Sequence, residues 1–196
     1  MKRTIVGAVW AFALAAVAQA ATLSIETIPV SGNVSGVPGS VVGWGFTLTD
    51  TETDEWIVLN DSYFTGSTVY GTYVDYVASN FYVAGPSPES QTLNEPWNPS
   101  TSPPTGLGEF DINATAPPGF ITGDINVDYQ LFSQDPNDPD FDPDTAFISS
   151  GTFSAPVQAD VVPEPATMAV TGATLLALAF AIRRRRRGVV RPPSQP

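Results

Sequence analysis

Asp138, Asp140, Asp142 and Asp144 recur at every second residue, with Asp135 and Asn137 just ahead of them. Calcium takes roughly six to eight oxygen ligands, and closely spaced carboxylates in a loop supply several at once. These four aspartates are therefore the candidate metal ligands, and calcium is the ion that suits them. Pro136, Pro139 and Pro143 stiffen the same segment, so a merely extended acidic loop is the alternative reading.

Asp140-x-Asp142-x-Asp144 opens as an EF-hand loop does and then departs from it. The sixth position is Thr145 instead of the turn-making glycine, and the twelfth is Gly151 instead of a chelating glutamate. The segment is not an EF-hand. Carboxylates can also hydrolyse glycosides when two of them are held roughly 5–9.5 Å apart. Asp75, Glu109, Asp111, Asp124 and Asp128 are available for that role. Residues 21–162 hold 19 carboxylates, the 20 of the chain less Glu164. At that density such distances arise by chance, and a solvated acidic surface is the simpler reading.

Most other chemistry is closed to this chain. Residues 21–162 contain no His, Cys, Lys or Arg. That removes Ser-His-Asp and Cys-His catalysis, the usual zinc sites, Schiff-base lysines and arginine clamps on phosphate. No glycine-rich phosphate loop precedes a helix. The expectation is a non-enzyme with no cofactor beyond a calcium ion.

The same absence governs partners. All basic residues lie near the ends: Lys2, Arg3, Arg183–Arg187 and Arg191. The segment between them carries 19 negative charges and no positive one, against −12 for the whole chain. It repels nucleic acid, whose binding needs cationic side chains to displace counterions, and it attracts divalent cations or basic partners. Without cysteine it uses no disulfides.

The elements that must position these residues read as strands. Val41–Asp50 places Val42, Trp44, Phe46 and Leu48 on one face, with Gly43, Gly45, Thr47 and Thr49 on the other. Gly123–Phe132 alternates likewise, with Ile125, Val127, Tyr129 and Leu131 together. That period of two marks half-buried strands. Shorter candidates are TLSIETI, EWIVLN, NFYVAG, GEFDINA, AFISSGTF and VQADVV, while Tyr70–Ser79 suits a strand or a short helix. Turn signals stand at Pro38-Gly39, Asn60-Asp61-Ser62, Gly85-Pro86, Pro117-Pro118-Gly119 and Thr122-Gly123. Residues 85–106 are rich in Pro and Ser and read as one long irregular loop, with Trp97 packed inside it. The fold class expected is all-β, an antiparallel immunoglobulin-like β-sandwich over residues 21–160.

Both ends read as handling signals. Lys2 and Arg3, an apolar run from Ile5 to Val17, and Ala18-Gln19-Ala20 form a signal peptide over residues 1–20, with cleavage after Ala20. At the other end, Ala166–Ile182 is 17 uncharged residues, followed by Arg183–Arg187. As a helix it rises about 25 Å, against about 30 Å of hydrocarbon, and snorkelling arginines close the gap. The arginines stop transfer and keep the C-terminus in the cytoplasm. This predicts one C-terminal transmembrane helix over 166–182, a cytoplasmic tail over 188–196, and a body outside the cell. Pro163 and Pro165 hold Val162 and Glu164 away from helical backbone, so Val162–Pro165 is extended and open to a processing enzyme.

Val162-Pro163-Glu164-Pro165, a single short apolar helix and an arginine cluster, in that order over residues 161–187, resemble the PEP-CTERM sorting signal. The nine-residue tail Gly188–Pro196 is longer than usual for it. The resemblance implies an exported bacterial protein, recognised at Pro163, Glu164 and Pro165 by a membrane-embedded exosortase. It also implies a setting that includes exopolysaccharide. The stretch VPGSVVGWGFTLTD resembles bodies found on such proteins and names no activity. Together these readings describe a single-pass membrane precursor that is sorted to the cell surface or extracellular matrix. Its role is structural or adhesive. A carbohydrate-binding module, with or without calcium, is the alternative, and a carboxylate-based glycosidase is the remote third.

Overall fold

Alternating apolar residues between Gly- and Pro-rich turns build ten strands among the described residues. The computed structural model describes residues 23–51, 54–86 and 91–187. The expected signal peptide and the tail 188–196 lie outside them. In chain order the strands are β1 (Leu23–Ile28), β2 (Asn33–Gly36), β3 (Val41–Asp50), β4 (Trp56–Gly66), β5 (Gly71–Asp75), β6 (Tyr82–Ala84), β7 (Gln91–Glu95), β8 (Gly108–Ile112) and β9 (Gly119–Phe132). A short helix α1 (Pro143–Ala146), the last strand β10 (Phe147–Val161) and the terminal helix α2 (Pro165–Arg187) follow.

The strands form two sheets. One has the order β1-β3-β8-β5, with β8 pairing Val41–Trp44 of β3 and β7 pairing Phe46–Asp50. The other runs β2-β10-β9-β4-β6. Neighbours are antiparallel except β2 and β10, which are parallel. The first stretch of chain thus serves both sheets, β1 in one and β2 in the other. It crosses at the cis Ile28–Pro29 bond and at Gly32, whose φ of 67° suits a residue without a Cβ. The Gly32 carbonyl accepts from the Trp44 indole at 2.8 Å and from Gln158 N at 3.0 Å, which ties the crossing to both sheets.

The core lies between the sheets. Trp44, Phe46 and Leu48 from β3 and Phe110 and Ile112 from β8 meet Ile57 and Leu59 from β4, Ile125 and Val127 from β9, and Val157 and Val161 from β10. Rings interlock edge to face, Phe46 on Tyr82 with centroids 5.1 Å apart and Phe64 on Phe110 at 5.4 Å. Each fully buried side chain of this size contributes about 1.5–3 kcal/mol. This is an all-β sandwich, as the alternation predicts.

Several local expectations are corrected. Asn60-Asp61-Ser62 is no turn: β4 runs through it, and the extra residue is absorbed as a register shift between Leu59 and Asp61. Thr122-Gly123 lies inside the continuous β9, and AFISSGTF and VQADVV are one strand, β10. Residues 85–106 are not irregular throughout, because β7 pairs there with β3. The strand β2 was not anticipated; its four residues carry no apolar alternation and are fixed by pairing with β10. The glycine face of β3 is covered, not solvated: Gly43 packs against the Trp97 ring and Gly45 against Glu95–Trp97.

Candidate functional site: the C-terminal segment and the acidic loop

β10 ends at Val161 and α2 begins at Pro165, so the bridge Val162–Glu164 is neither strand nor helix. Val162 N still donates to Gly36 O at 2.9 Å, which fixes where the sandwich lets go of the chain. Pro163 and Glu164 are exposed. Pro165 occupies the start of α2, where its missing N–H removes no helical hydrogen bond. Of the residues singled out as a processing motif, Pro163 and Glu164 therefore lie in the exposed bridge between body and helix, and Pro165 begins the helix.

α2 continues from Pro165 through Arg187, so the apolar run 166–182 and the arginines Arg183, Arg184, Arg185, Arg186 and Arg187 share one helix. Its apolar side chains stand in the open: Leu175 is 63% exposed and Phe180 68%. Val170, Leu175, Leu176, Leu178, Phe180 and Ile182 are spaced so that they point to every side of the helix. Thr174 tucks its hydroxyl onto Val170 O at 2.7 Å, which hides one polar group. Among the described residues no helix is long and apolar enough to cross a membrane.

The acidic loop Asp135–Asp144 turns its carboxylates on its own backbone. Asp135 accepts from Asn137 N at 2.8 Å, Asp138 from Asp140 N at 2.9 Å and Asp142 from Asp144 N at 3.1 Å. Each is an aspartate bonding two residues on, the local turn that Asp favours. Asp142 is also the N-cap of α1, with Pro143 in the first turn. Phe141, in the middle of the acidic run, packs edge to face on Phe132 with centroids 5.1 Å apart. The spacing of two proposed for metal ligation thus serves turns at Asp138 and Asp142. The side chains of Asp138, Asp140, Asp142 and Asp144 do not converge: among the described residues no group of three or more acidic side chains lies together as a metal site.

The carboxylates considered for hydrolysis scatter over both sheets. Asp75 on β5 spans the gap to β4, accepting from Ser62 N at 3.1 Å, Val77 N at 2.8 Å and Ala78 N at 3.1 Å, and meeting the Ser62 hydroxyl. Ser62 in turn reaches the Tyr73 hydroxyl at 2.8 Å and Leu107 O at 2.7 Å. Burial, above all, pushes the Tyr73 phenol up; the Asp75 charge adds to the rise and the bond to Ser62 opposes it. This network clamps the two sheets, and sequence reasoning missed it because Ser62 looked like a turn residue.

Glu109 stands beside Tyr76, whose phenol is raised by burial first and then by Glu109, with the Trp97 indole acting the other way. Trp97 thus packs, as expected of it. Asp128 on β9 takes the Thr152 hydroxyl and lies opposite Asp61 on β4. Loss of solvent raises the Asp61 carboxyl, and the charges of Asp128 and Asp75 raise it further. Beside this pair, Asn60, Asp128, Gln130, Ser150 and Thr152 line an open polar hollow of about 450 Å³. It presents amide, hydroxyl and carboxylate groups and no cation.

No family model matches the chain, and no curated protein matches it. Among solved structures it is similar to AggA, the major subunit of aggregative adherence fimbriae type I from Escherichia coli. That likeness has 9% identity and a TM-score of 0.36, over 74% of this chain and 97% of that one. It is also similar to a family 123 glycoside hydrolase from Clostridium perfringens, at 11% identity and a TM-score of 0.27, over 72% of this chain and 28% of that one. Both TM-scores are too low for either likeness to carry an argument.

Proposed function

We propose that this chain is an exported precursor that an exosortase cleaves near Pro163-Glu164-Pro165, and whose body serves as a structural or adhesive component of the cell surface or extracellular matrix. The observation that carries the reading is the position of that motif. It is the exposed bridge between the last strand, ending at Val161, and a helix whose apolar residues face outward on every side. Such a helix needs an apolar environment, and the arginines at its end set its depth by reaching toward lipid headgroups. The strand order β1-β3-β8-β5 over β10-β9-β4 follows that of immunoglobulin-like sandwiches, the fold we assign to the body. A body without His, Cys, Lys or Arg suits a role without catalysis.

Mass spectrometry of the protein from its own cells tests this. The expected mature chain begins near Ala21 and ends near Pro165. Glu164→Ala and deletion of Arg183–Arg187 each leave an uncleaved or mislocalised precursor. A mature C-terminus still near residue 165 in both variants refutes the sorting reading.

The polar hollow beside Asp128 supports a second reading, binding of a neutral polysaccharide through hydroxyl-to-amide and hydroxyl-to-carboxylate bonds. A glycan array that gives no specific binder removes it. A specific micromolar binder displaces the purely structural role.

A further inference from the structure

The loops at one end of the sandwich carry no carboxylate, and it is the end from which α2 departs. Gly119 of β9 and Gly36 of β2 both pair with Val161, the last residue of β10. Ile112 of β8 pairs with Gly71 of β5, beside the start of β3. The loops 37–40, 67–70 and 113–118 therefore gather around the point where the chain leaves the body. Hydrogen bonds join them. Ile112 N donates to Ser40 O at 3.0 Å, and Asn113 donates from N to Tyr70 O at 2.9 Å and from Nδ2 to Val69 O at 3.2 Å. The bond from Val162 N to Gly36 O adds the bridge to the same assembly.

This end is apolar at its tips. Val69 is 71% exposed and Phe120, next to the start of β9, is 68% exposed; Tyr70, Pro117 and Pro118 are exposed with them. No carboxylate lies in residues 27–49, 62–74 or 112–123, the three stretches that run through this end. The opposite end carries Asp135, Asp138, Asp140, Asp142 and Asp144 between β9 and β10. β9 has 14 residues, so the two ends stand up to about 46 Å apart.

We propose that this end rests on the surface of the bilayer that seats α2, with Val69, Tyr70 and Phe120 in the headgroup layer and the acidic loop held away from it. The bridge selects this occupant. From Val161 to Pro165 the chain reaches at most about 14 Å when fully extended, so no folded partner fits between the body and the start of the helix. A headgroup layer of about 5–8 Å does fit. Charge selects the posture. A body lying on the face of β4 and β9 brings Asp61, Asp124 and Asp128 against the headgroups, and one lying on the face of β1 and β8 brings Glu26, Glu109 and Asp111. Standing on its end, the body meets lipid through uncharged loops. Asp111 and Asp160, one residue back from the ends of β8 and β10, and Glu164 in the bridge limit the depth, because carboxylates are costly in hydrocarbon. The tips stop among the headgroups. Once cut from α2, the body keeps only these tips, too little apolar area for lasting attachment. The placement rests on α2 being seated in a bilayer, the basis of the sorting reading, and the experiment separates the two.

The chain has no cysteine, so single cysteines in the full-length protein take a fluorescent label without competition. Thr115→Cys marks the loop tips, Asn137→Cys the acidic loop and Leu178→Cys the helix. Each is reconstituted into phosphatidylcholine vesicles, part of whose lipid carries a nitroxide near the headgroup. The expected quenching is strong at Leu178→Cys and at least about threefold greater at Thr115→Cys than at Asn137→Cys. Val69→Ser combined with Phe120→Ser, both on exposed side chains, leaves the thermal melt and the Leu178→Cys signal in place and lowers quenching at Thr115→Cys at least about twofold. Tethering without contact predicts no change in that double variant. With Leu178→Cys quenched, equal signals at Thr115→Cys and Asn137→Cys, or a Thr115→Cys signal untouched by the double variant, overturn the proposal and leave the sorting reading standing. No quenching at Leu178→Cys overturns both.

Discussion

The sandwich and the terminal helix use similar apolar residues in opposite ways. In the body, Phe46, Leu48 and Phe110 sit at alternate positions and are completely buried; in α2, Leu175 and Phe180 are more than half exposed. A period of two supplies one inward face to each strand, and two such faces close on each other. A helix with apolar residues all round has no single face to offer. The stability of the body therefore rests on its own core, while α2 awaits its environment.

The comparison breaks most readily at the core. Phe110→Ala, which empties a site under Phe64 and Gly71, should cost about 3–5 kcal/mol, seen as a large loss of denaturant midpoint. Leu175→Ala in α2 should leave that midpoint unchanged; a loss of comparable size there would mean that the helix packs on the body after all. A second test lies at the covered glycine face. A Cβ on Gly43 runs into the Trp97 ring, so Gly43→Ala should cost about 1–3 kcal/mol and raise Trp97 fluorescence exposure to a soluble quencher.

Smaller effects sharpen the contrast within the acidic surface. Asp142→Ala removes the cap of α1 and should lower stability by about 1 kcal/mol, with faster amide exchange at Asp144 and Thr145. Asp61→Asn should act in the other direction. Its native carboxyl is raised, so the folded state holds its proton more tightly than the unfolded state does. The cost of ionising it is absent below the unfolded value of 3.8 and complete above the raised native value. The variant should thus be slightly more stable at pH 7, by less than about 0.5 kcal/mol because the group is largely solvated, and no different at pH 3.

The strands with a buried face were legible, because Val42, Trp44, Phe46 and Leu48 announce a period that only a sheet satisfies. What escaped was set by partners distant in sequence. Asn60-Asp61-Ser62 has turn composition, yet Ser62 is held inward by Asp75 and Leu107 across the sandwich. β2 and β7 owe their pairing to β10 and β3, and nothing in their own alternation signals it. In the candidate site, the open bridge at Pro163 and Glu164 was readable because proline acts on its nearest neighbours. The aspartates of the acidic loop were ambiguous for a related reason: a repeat of two in carboxylates serves local turns as well as ligation.

The parallel pairing of β2 with β10 carries a mechanical consequence. Those two strands lead toward opposite termini, so a pull that separates the N-terminal side from the tail slides one along the other. The bonds Gln158 N to Gly32 O and Val162 N to Gly36 O then bear the load together, in shear, instead of opening one after another. A body tethered by the end of β10 would yield to tension only when that whole patch gives way.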